Sequence, residues 1–194
     1  MNTAEAACDI ALIEAGAVLF QEVTPMQRGL EAYLPVKVTE VLAAHHIGLK
    51  DLSRLAVITG PGSFTGIRIG LGFARGLAVI LKIPVIGLTS LEAGLHPDRR
   101  EPVMLALPAK KRPPELSFWT QSLVQGFGTG PVLEEEESAL QDRAFEIATP
   151  NAAWAGLKAL SALPDAHKAS PVYARTPDAK PVSSKPVTSS ARPA

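Results

Sequence analysis

Two spacings of apolar residues run through the first 95 positions of the chain, and they predict strands and helices in turn. Two apolar runs, 7–13 and 17–23, flank a glycine-containing turn and predict a strand hairpin. Helical spacing of apolar residues predicts a helix over about 29–46. The next predicted elements are a strand at 55–58, a helix at about 64–81 and a strand at 85–88. A further helix begins at 89, with Thr89 or Ser90 as its cap. This order indicates a mixed α/β lobe.

The pattern is weaker after residue 96. Strands are predicted at 103–107 and 116–121, an acidic helix start at 134–141, and an alanine-rich helix at 151–163. From Lys180 onwards Pro, Ser, Thr and Lys dominate, which is typical of a tail without a core. The predicted organisation is an N-terminal lobe (1–95), a smaller C-terminal lobe (96–179) and a disordered tail (180–194).

Composition narrows the class of protein. The 194 residues carry a formal net charge of zero, which argues against unaided binding of nucleic acid. Cys8 is the single cysteine, so no disulfide forms within the chain and a reducing cytoplasm is expected. Charged residues and Pro84 interrupt the most apolar stretch, 67–86, so no membrane span is predicted, and no secretory signal is visible.

A loop rich in small residues joins the strand at 55–58 to the following helix. Backbone N–H groups at a helix start attract anions, so the loop is a candidate contact for phosphate or for a partner's backbone. Ile67 and Arg68 stand where a Walker loop requires Lys and Ser or Thr. A tight turn without a ligand explains the glycines equally well. The candidate residues are Gly60, Pro61, Gly62, Ser63, Phe64, Thr65 and Gly66.

The helix after the loop is rich in glycine, although each glycine destabilises a helix by roughly 0.5–1 kcal/mol relative to alanine. Gly66 and Gly70 form one pair four residues apart, and Gly72 and Gly76 form another. One pair would suffice for packing inside the chain, so two pairs favour a contact with a second subunit. Arg68 and Arg75 face a partner's acids, a phosphate or solvent. The predicted interface consists of Gly66, Arg68, Gly70, Gly72, Ala74, Arg75, Gly76, Leu34 and Val38.

No catalytic or metal-binding residues are predicted. The histidines (45, 46, 96 and 167) are explained as surface residues, and neither Ser63 nor Cys8 has a recognisable base. Glu134 to Glu137 fit a solvated helix start. Lys110, Lys111 and Arg112 form a basic turn, for which RNA contact and simple exposure both remain open.

The segment Gly-Pro-Gly-Ser-Phe-Thr-Gly-Ile-Arg-Ile-Gly (60–70) resembles the signature of the TsaB (YeaZ-like) family, a Gcp-like group within the actin-like ATPase superfamily. Segments 84–93 and 171–177 are also similar to that family. The resemblance implies a two-lobed α/β, ribonuclease H-like fold with mixed sheets flanked by helices. It also implies a first strand that is missing from this sequence, because Asn2-Thr3-Ala4 stands at the turn that should follow it. A start placed too late and a true loss both explain this, and the first is favoured.

The resemblance implies a function as well: a non-catalytic partner of TsaD, which transfers a threonylcarbamoyl group to the adenosine next to the anticodon of tRNA. TsaE would be a further partner, and tRNA would be met through the complex. No cofactor is predicted for this chain itself, and ATP at the complex interface stays open. A homodimer on the glycine face is another expectation. The catalytic relative's metal-binding histidine pair corresponds here to Leu30 and Leu34. The alternative is an ATP-binding enzyme or glycoprotease-like hydrolase, which Asn2 and Pro108, in place of expected carboxylates, disfavour.

Overall fold

The computed structural model describes residues 1–109, 117–134 and 143–173. It begins with an antiparallel hairpin of β1 (Ala7–Glu14) and β2 (Ala17–Pro25), with a register shift between Leu12 and Ile13. The turn between the strands contains Ala15 and Gly16, both with positive φ. The predicted hairpin is therefore confirmed.

The middle of the N-terminal half is a β-α-β unit. Strands β3 (Leu55–Ile58) and β4 (Val85–Leu88) are parallel and adjacent, and α2 (Phe64–Leu81) connects them. Helix α1 (Leu30–Ala44) precedes the unit and α3 (Ser90–Ala93) follows it. The Thr89 side chain caps α3 and Glu92 completes a capping box. The predicted bounds of β3, α2 and β4 are confirmed.

The second half contains a four-stranded mixed sheet in the order β7-β6-β5-β8. Its strands are β5 (Val103–Ala109), β6 (Ser117–Leu123), β7 (Val132–Glu134) and β8 (Glu146–Ile147), of which β5 and β8 run parallel. Glu134 pairs with Phe118 as the last residue of β7, so the helix predicted to begin there is wrong at that position. The other residues of that predicted helix up to Gln141, and the basic turn 110–112, lie outside the described residues.

Helix α4 (Ala152–Ala159) returns to the N-terminal half. The Asn151 side chain accepts a hydrogen bond from the Trp154 N–H, which caps the helix. Ala155 and Ala159 are buried in one core with the apolar residues of β3, α2 and β4. The helix therefore packs across the predicted boundary at residue 95. That division stays a prediction, and the predicted tail 180–194 lies outside the described residues.

The first two residues lie between the β1-β2 sheet and the β3-β4 sheet, whose strands do not pair with each other directly. The Met1 ammonium donates to the Ala56 carbonyl (2.8 Å), and the Met1 carbonyl accepts from the Ile58 N–H (3.1 Å). On the other side, Asn2 and Asp9 exchange two backbone hydrogen bonds of 2.8 and 2.9 Å. Met1 and Asn2 thus run parallel to β3 and antiparallel to β1. Whether the lobe lacks a first strand remains a prediction.

Among the described helices, α2 alone meets the length and composition of a membrane span, with a mean hydropathy of 1.5. The sequence predicted no such span, because the apolar stretch considered there, 67–86, includes Lys82 and Pro84, which lie beyond the end of the helix. One side of α2 is buried against the strands, as in a core helix of a globular domain.

Candidate functional site

The candidate site is the glycine-rich loop with the helix that follows it. Ser63 caps α2, its hydroxyl accepting a hydrogen bond from the Gly66 N–H at 3.3 Å. At Gly60 φ is 102°, and an added Cβ would lie 2.6 Å from the Val172 carbonyl oxygen. The Ser90 hydroxyl donates to the Pro61 carbonyl at 2.7 Å, and the Gly60–Pro61 peptide bond is cis. Neighbouring segments therefore hold the loop on several sides.

The segment Thr3–Ala4 fills the inner side of this loop. The Ala4 carbonyl accepts from the Ser63 N–H at 2.6 Å, and the Thr3 hydroxyl donates to the Gly66 carbonyl at 2.8 Å. An added Cβ on Gly62 would overlap the Ala4 carbonyl oxygen, and one on Gly66 would overlap the Thr3 carbonyl oxygen. Glycine is required at these positions because another stretch of backbone lies against them.

These contacts bear on the predicted phosphate site. The backbone N–H groups of Ser63 and Gly66 both donate within the chain, to Ala4 and to the Ser63 hydroxyl. Two donors that a phosphate would use are thus already engaged, while Gly62 and Thr65 remain exposed. Contact of the loop with phosphate or a partner stays a prediction.

The two arginines of α2 have partners within the chain. The Arg68 guanidinium lies 3.9 Å from the centre of the Phe64 ring, and its Nε donates to the Tyr173 hydroxyl at 3.2 Å. The centres of the Phe64 and Tyr173 rings are 4.8 Å apart and the rings are tilted by 44°, so the three side chains form one cation–aromatic cluster. Arg75 donates to the Ala169 carbonyl. The resemblance singles out segment 171–177, but the contact between Tyr173 and Arg68 was missed, because two residues 105 positions apart leave no local pattern.

The outer side of α2 is open and apolar. An added Cβ on Gly72 or Gly76 would meet no atom within 4 Å. Val79 and Ile80, one turn further along, are 78% and 76% exposed. We call these four residues the open face of α2. The two apolar side chains were missed in the sequence, although their spacing from Gly76 places them on the same side of a helix.

The structure corrects the predicted interface at five of its nine positions. They are buried in the chain's own core or against Thr3, and so offer no surface to a partner: Leu34, Val38, Gly66, Gly70 and Ala74. The four exposed positions are Arg68, Gly72, Arg75 and Gly76. The glycine pairs therefore differ, since the first is packed inside the chain and the second lies on its surface.

A buried lysine joins α4 to the end of α3. The Lys158 ammonium donates to the carbonyl oxygens of Glu92 (2.5 Å) and Gly126 (3.3 Å). Burial lowers the pKa of Lys158 to about 8, although the Glu92 carboxylate opposes the shift. Glu92 in turn accepts from the N–H groups of Thr89 and Gly128. No local pattern in the sequence predicts this contact between the segments.

Metal-ligating residues do not cluster in the part of the chain that the structure describes. There, no three His, Cys, Asp or Glu side chains come together as a group that could hold a metal ion. Leu30 and Leu34, at the positions of the catalytic relative's histidines, are buried in the core around α1. The Cys8 thiol is buried as well, and burial raises its pKa to about 11.

Comparisons with known proteins match the segment that contains the glycine-rich loop and α2. A family model described as "TsaD: tRNA N6-adenosine threonylcarbamoyltransferase" matches residues 24–112. The tRNA threonylcarbamoyladenosine biosynthesis protein TsaB of Escherichia coli is 40% identical over 92 residues, 47% of this chain and 39% of that protein. Its namesake from Haemophilus influenzae is 33% identical over 114 residues, 57% of this chain and 48% of that protein. The chain thus spans half or less of these two relatives.

A solved structure extends the likeness over most of the fold. YeaZ from Pseudomonas aeruginosa superimposes with a TM-score of 0.68, covering 89% of this chain and 96% of that one at 23% identity. Its fold supports the predicted α/β, ribonuclease H-like class with mixed sheets. The chain is therefore TsaB/YeaZ-like, in sequence over about half of its length and in fold over most of it.

Proposed function

We propose that this chain is a partner subunit in the threonylcarbamoylation of tRNA, and that it binds TsaD through the open face of α2. The observation that carries the proposal is this exposed stripe of two glycines and two aliphatic side chains. It lies inside residues 24–112, the segment that the TsaD family model matches. Small residues allow a partner helix to approach closely, and exposed aliphatic residues supply area to bury.

The proposal assigns the chemistry to TsaD and a supporting role to this chain. The target is the adenosine next to the anticodon, and the chain meets tRNA only within the complex. A formal net charge of zero fits this role, since contact with phosphates requires clustered positive charge. TsaE as a further subunit, ATP at the complex interface, a cytoplasmic location and a homodimer on the same face belong to this proposal as well.

Light scattering of the purified chain mixed with TsaD tests the proposal. We expect a complex with the mass of one copy of each protein. The substitution Gly76→Leu at the open face should raise the dissociation constant about tenfold or more. Gly130→Leu is the matched control, because Gly130 is also exposed, with no atom within 4 Å of an added Cβ, but lies in a loop away from α2. Two separate proteins at micromolar concentration, or equal effects of both variants, would contradict docking at this face.

Titration calorimetry with ATP and magnesium addresses the alternative of an ATP-binding enzyme. We expect no tight binding by the isolated chain, because Ser63 and Gly66 already use their N–H groups internally. Micromolar binding that Thr65→Pro abolishes, at the exposed side of the loop, would favour that alternative.

A further inference from the structure

We propose that four basic side chains along one flank of α2 bind the phosphodiester backbone of RNA. They are Arg68, Arg75 and Lys82 at the successive levels of the helix, and Lys168 in the segment beside it; we call them the basic stripe. The inference deepens the proposed function and rests on it, because the RNA would be the tRNA that this chain meets within the complex.

Helix geometry places the three cations of α2 in one row. Arg68, Arg75 and Lys82 follow one another at intervals of seven residues, which make almost two full turns. Neighbouring members are therefore separated by about 10 Å along the helix, and the row is about 21 Å long. All three are exposed, as is Lys168, and neither α2 nor the segment 167–173 contains an acidic residue. Positive charge is thus concentrated along this flank.

The contacts that orient the two guanidinium groups do not neutralise them. The Arg68 Nε donates to the Tyr173 hydroxyl at 3.2 Å, and Arg75 donates to the Ala169 carbonyl. Both acceptors are uncharged, and a guanidinium has five N–H donors, so donors remain for a ligand. Within the described parts of the chain, no member of the basic stripe forms an ion pair with a carboxylate. The side chains are therefore held in place while their charge stays available.

The position of the basic stripe allows RNA and TsaD to bind side by side. At 100° per residue, Arg68 and Arg75 lie about 40° and 60° around the helix from Gly72, so the stripe borders the open face. A subunit docked on the open face would leave the stripe at the edge of the joint surface. RNA could then lie along the seam and contact both proteins.

The aromatic rings at one end of the basic stripe favour RNA over an acidic protein as its ligand. The Arg68 guanidinium lies 3.9 Å from the centre of the Phe64 ring, and Tyr173 completes the cluster. Phe64 and Tyr173 are both partly exposed. Unpaired bases stack on aromatic rings and on guanidinium planes, whereas a carboxylate has no use for them.

The number of cations explains why this site was hidden by the composition. A formal net charge of zero describes the whole chain and says nothing of how the charges are distributed. Proteins that hold nucleic acid firmly make about 6–10 phosphate contacts, which is more than four side chains supply. We therefore expect weak binding by the isolated chain and a measurable contribution within the complex.

Fluorescence anisotropy of a labelled tRNA transcript, added to the complex of this chain with TsaD, tests the proposal at about 50 to 200 mM salt. The double variant Arg75→Gln/Lys82→Gln should raise the dissociation constant for RNA about tenfold or more. The dependence of log affinity on log salt should become less steep by about 1.4–1.8, since two phosphate contacts are lost. Lys82→Gln alone, which removes no described hydrogen bond, should reduce that slope by about 0.7–0.9.

Two controls separate the position of the charge from its amount. Lys50→Gln/Arg100→Gln changes the net charge equally at exposed residues outside α2 and the segment beside it, and should leave the slope unchanged. Arg75→Lys/Lys82→Arg keeps both charges and should keep the native slope. Light scattering with TsaD is measured on the same variants, and we expect every one of them to form the native complex.

Equal RNA binding by the Arg75→Gln/Lys82→Gln variant and the Lys50→Gln/Arg100→Gln control would overturn the proposal. It would also be overturned if the first variant lost TsaD while the control retained it, because the basic stripe would then face carboxylates of the partner. If the native chain and TsaD form no complex, it is the proposed function that fails. Titration of the isolated chain with tRNA at about 50 mM salt then decides the stripe alone, in favour if the two variants differ and against it if they do not.

Discussion

The two glycine pairs of α2 have the same spacing and opposite surroundings. Gly66 and Gly70 are buried, and an added Cβ on either would overlap an oxygen of Thr3. Gly72 and Gly76 face open space. The first pair is thus explained by a contact within the chain, whereas nothing in the described structure requires the second pair to be glycine. The comparison shows that a glycine pattern in a helix has to be divided by face before it is interpreted.

Substitution of Gly66 should give the largest difference between the two pairs. In Gly66→Ala the new methyl group meets the Thr3 carbonyl, which belongs to the backbone and cannot rotate away. We expect the free energy of unfolding to fall by about 3 kcal/mol or more, as in severe overpacking. Urea unfolding measures it, with Gly76→Ala as the control at an open position. A loss at Gly66 no larger than that at Gly76 would break the distinction.

Substitution of Gly70 should be sensitive to the Thr3 side chain, unlike that of Gly66. An added Cβ at Gly70 overlaps the Thr3 hydroxyl, so Gly70→Ala should cost about 1–3 kcal/mol in the native background. In the Thr3→Ala background the hydroxyl is absent, and we expect the cost to fall by about 1–2 kcal/mol. A double-mutant cycle of unfolding free energies measures this coupling. Additive effects would show that the two side chains do not compete for the same space.

The N-terminal segment that packs on the first pair should make stability depend on pH. Burial is the largest cause lowering the pKa of the Met1 ammonium below 8.0, with Asp9 and Cys8 opposing it. The unfolded chain therefore binds this proton more readily than the folded chain does, so stability is highest above pH 8 and falls as the pH drops below it. The slope from this one group reaches at most about 1.4 kcal/mol per pH unit.

Acetylation of the Met1 nitrogen isolates this contribution, because the acetylated chain has no ammonium to titrate. Unfolding free energies from pH 8.5 to pH 6 should decrease more in the free chain than in the acetylated one. Parallel curves for the two chains would mean that the ammonium is not buried beside Ala56. Interactions other than the buried ammonium would then have to hold Thr3 against Gly66 and Gly70.

How much the sequence could predict follows from the range of the interactions. Local patterns predicted β3, α2 and β4 with the observed bounds, since the glycine-rich loop and Pro84 are signals next to the elements that they limit. Strands β7 and β8 were missed because they are three and two residues long and are fixed by partners in β6 and β5.

The candidate site was predictable only where local pattern decided it. Periodicity alone could not tell that Thr3 lies against one glycine pair, because the contact spans more than 60 residues of sequence. Leu34 and Val38 were assigned to the interface although helical spacing also suits a core, and the core is where the structure places them. Tyr173 and Lys158 depend on equally distant contacts.

The smallest expected change in stability is a gain rather than a loss, and it distinguishes a role of glycine in folding from a role in binding. Gly72→Ala adds a methyl group in open space on a helix, so the isolated chain should gain about 0.5–1 kcal/mol of stability from the lower cost of ordering alanine. Gly16→Ala is the control, since Gly16 also has open space but a φ of +83°, which alanine adopts only with strain. Thermal unfolding should therefore rank Gly72→Ala above the native chain and Gly16→Ala below it.

If Gly72→Ala stabilises the chain and yet weakens its complex with TsaD, then glycine at this position allows close approach by a partner. If it leaves that complex unchanged, then the open face is not where TsaD approaches most closely.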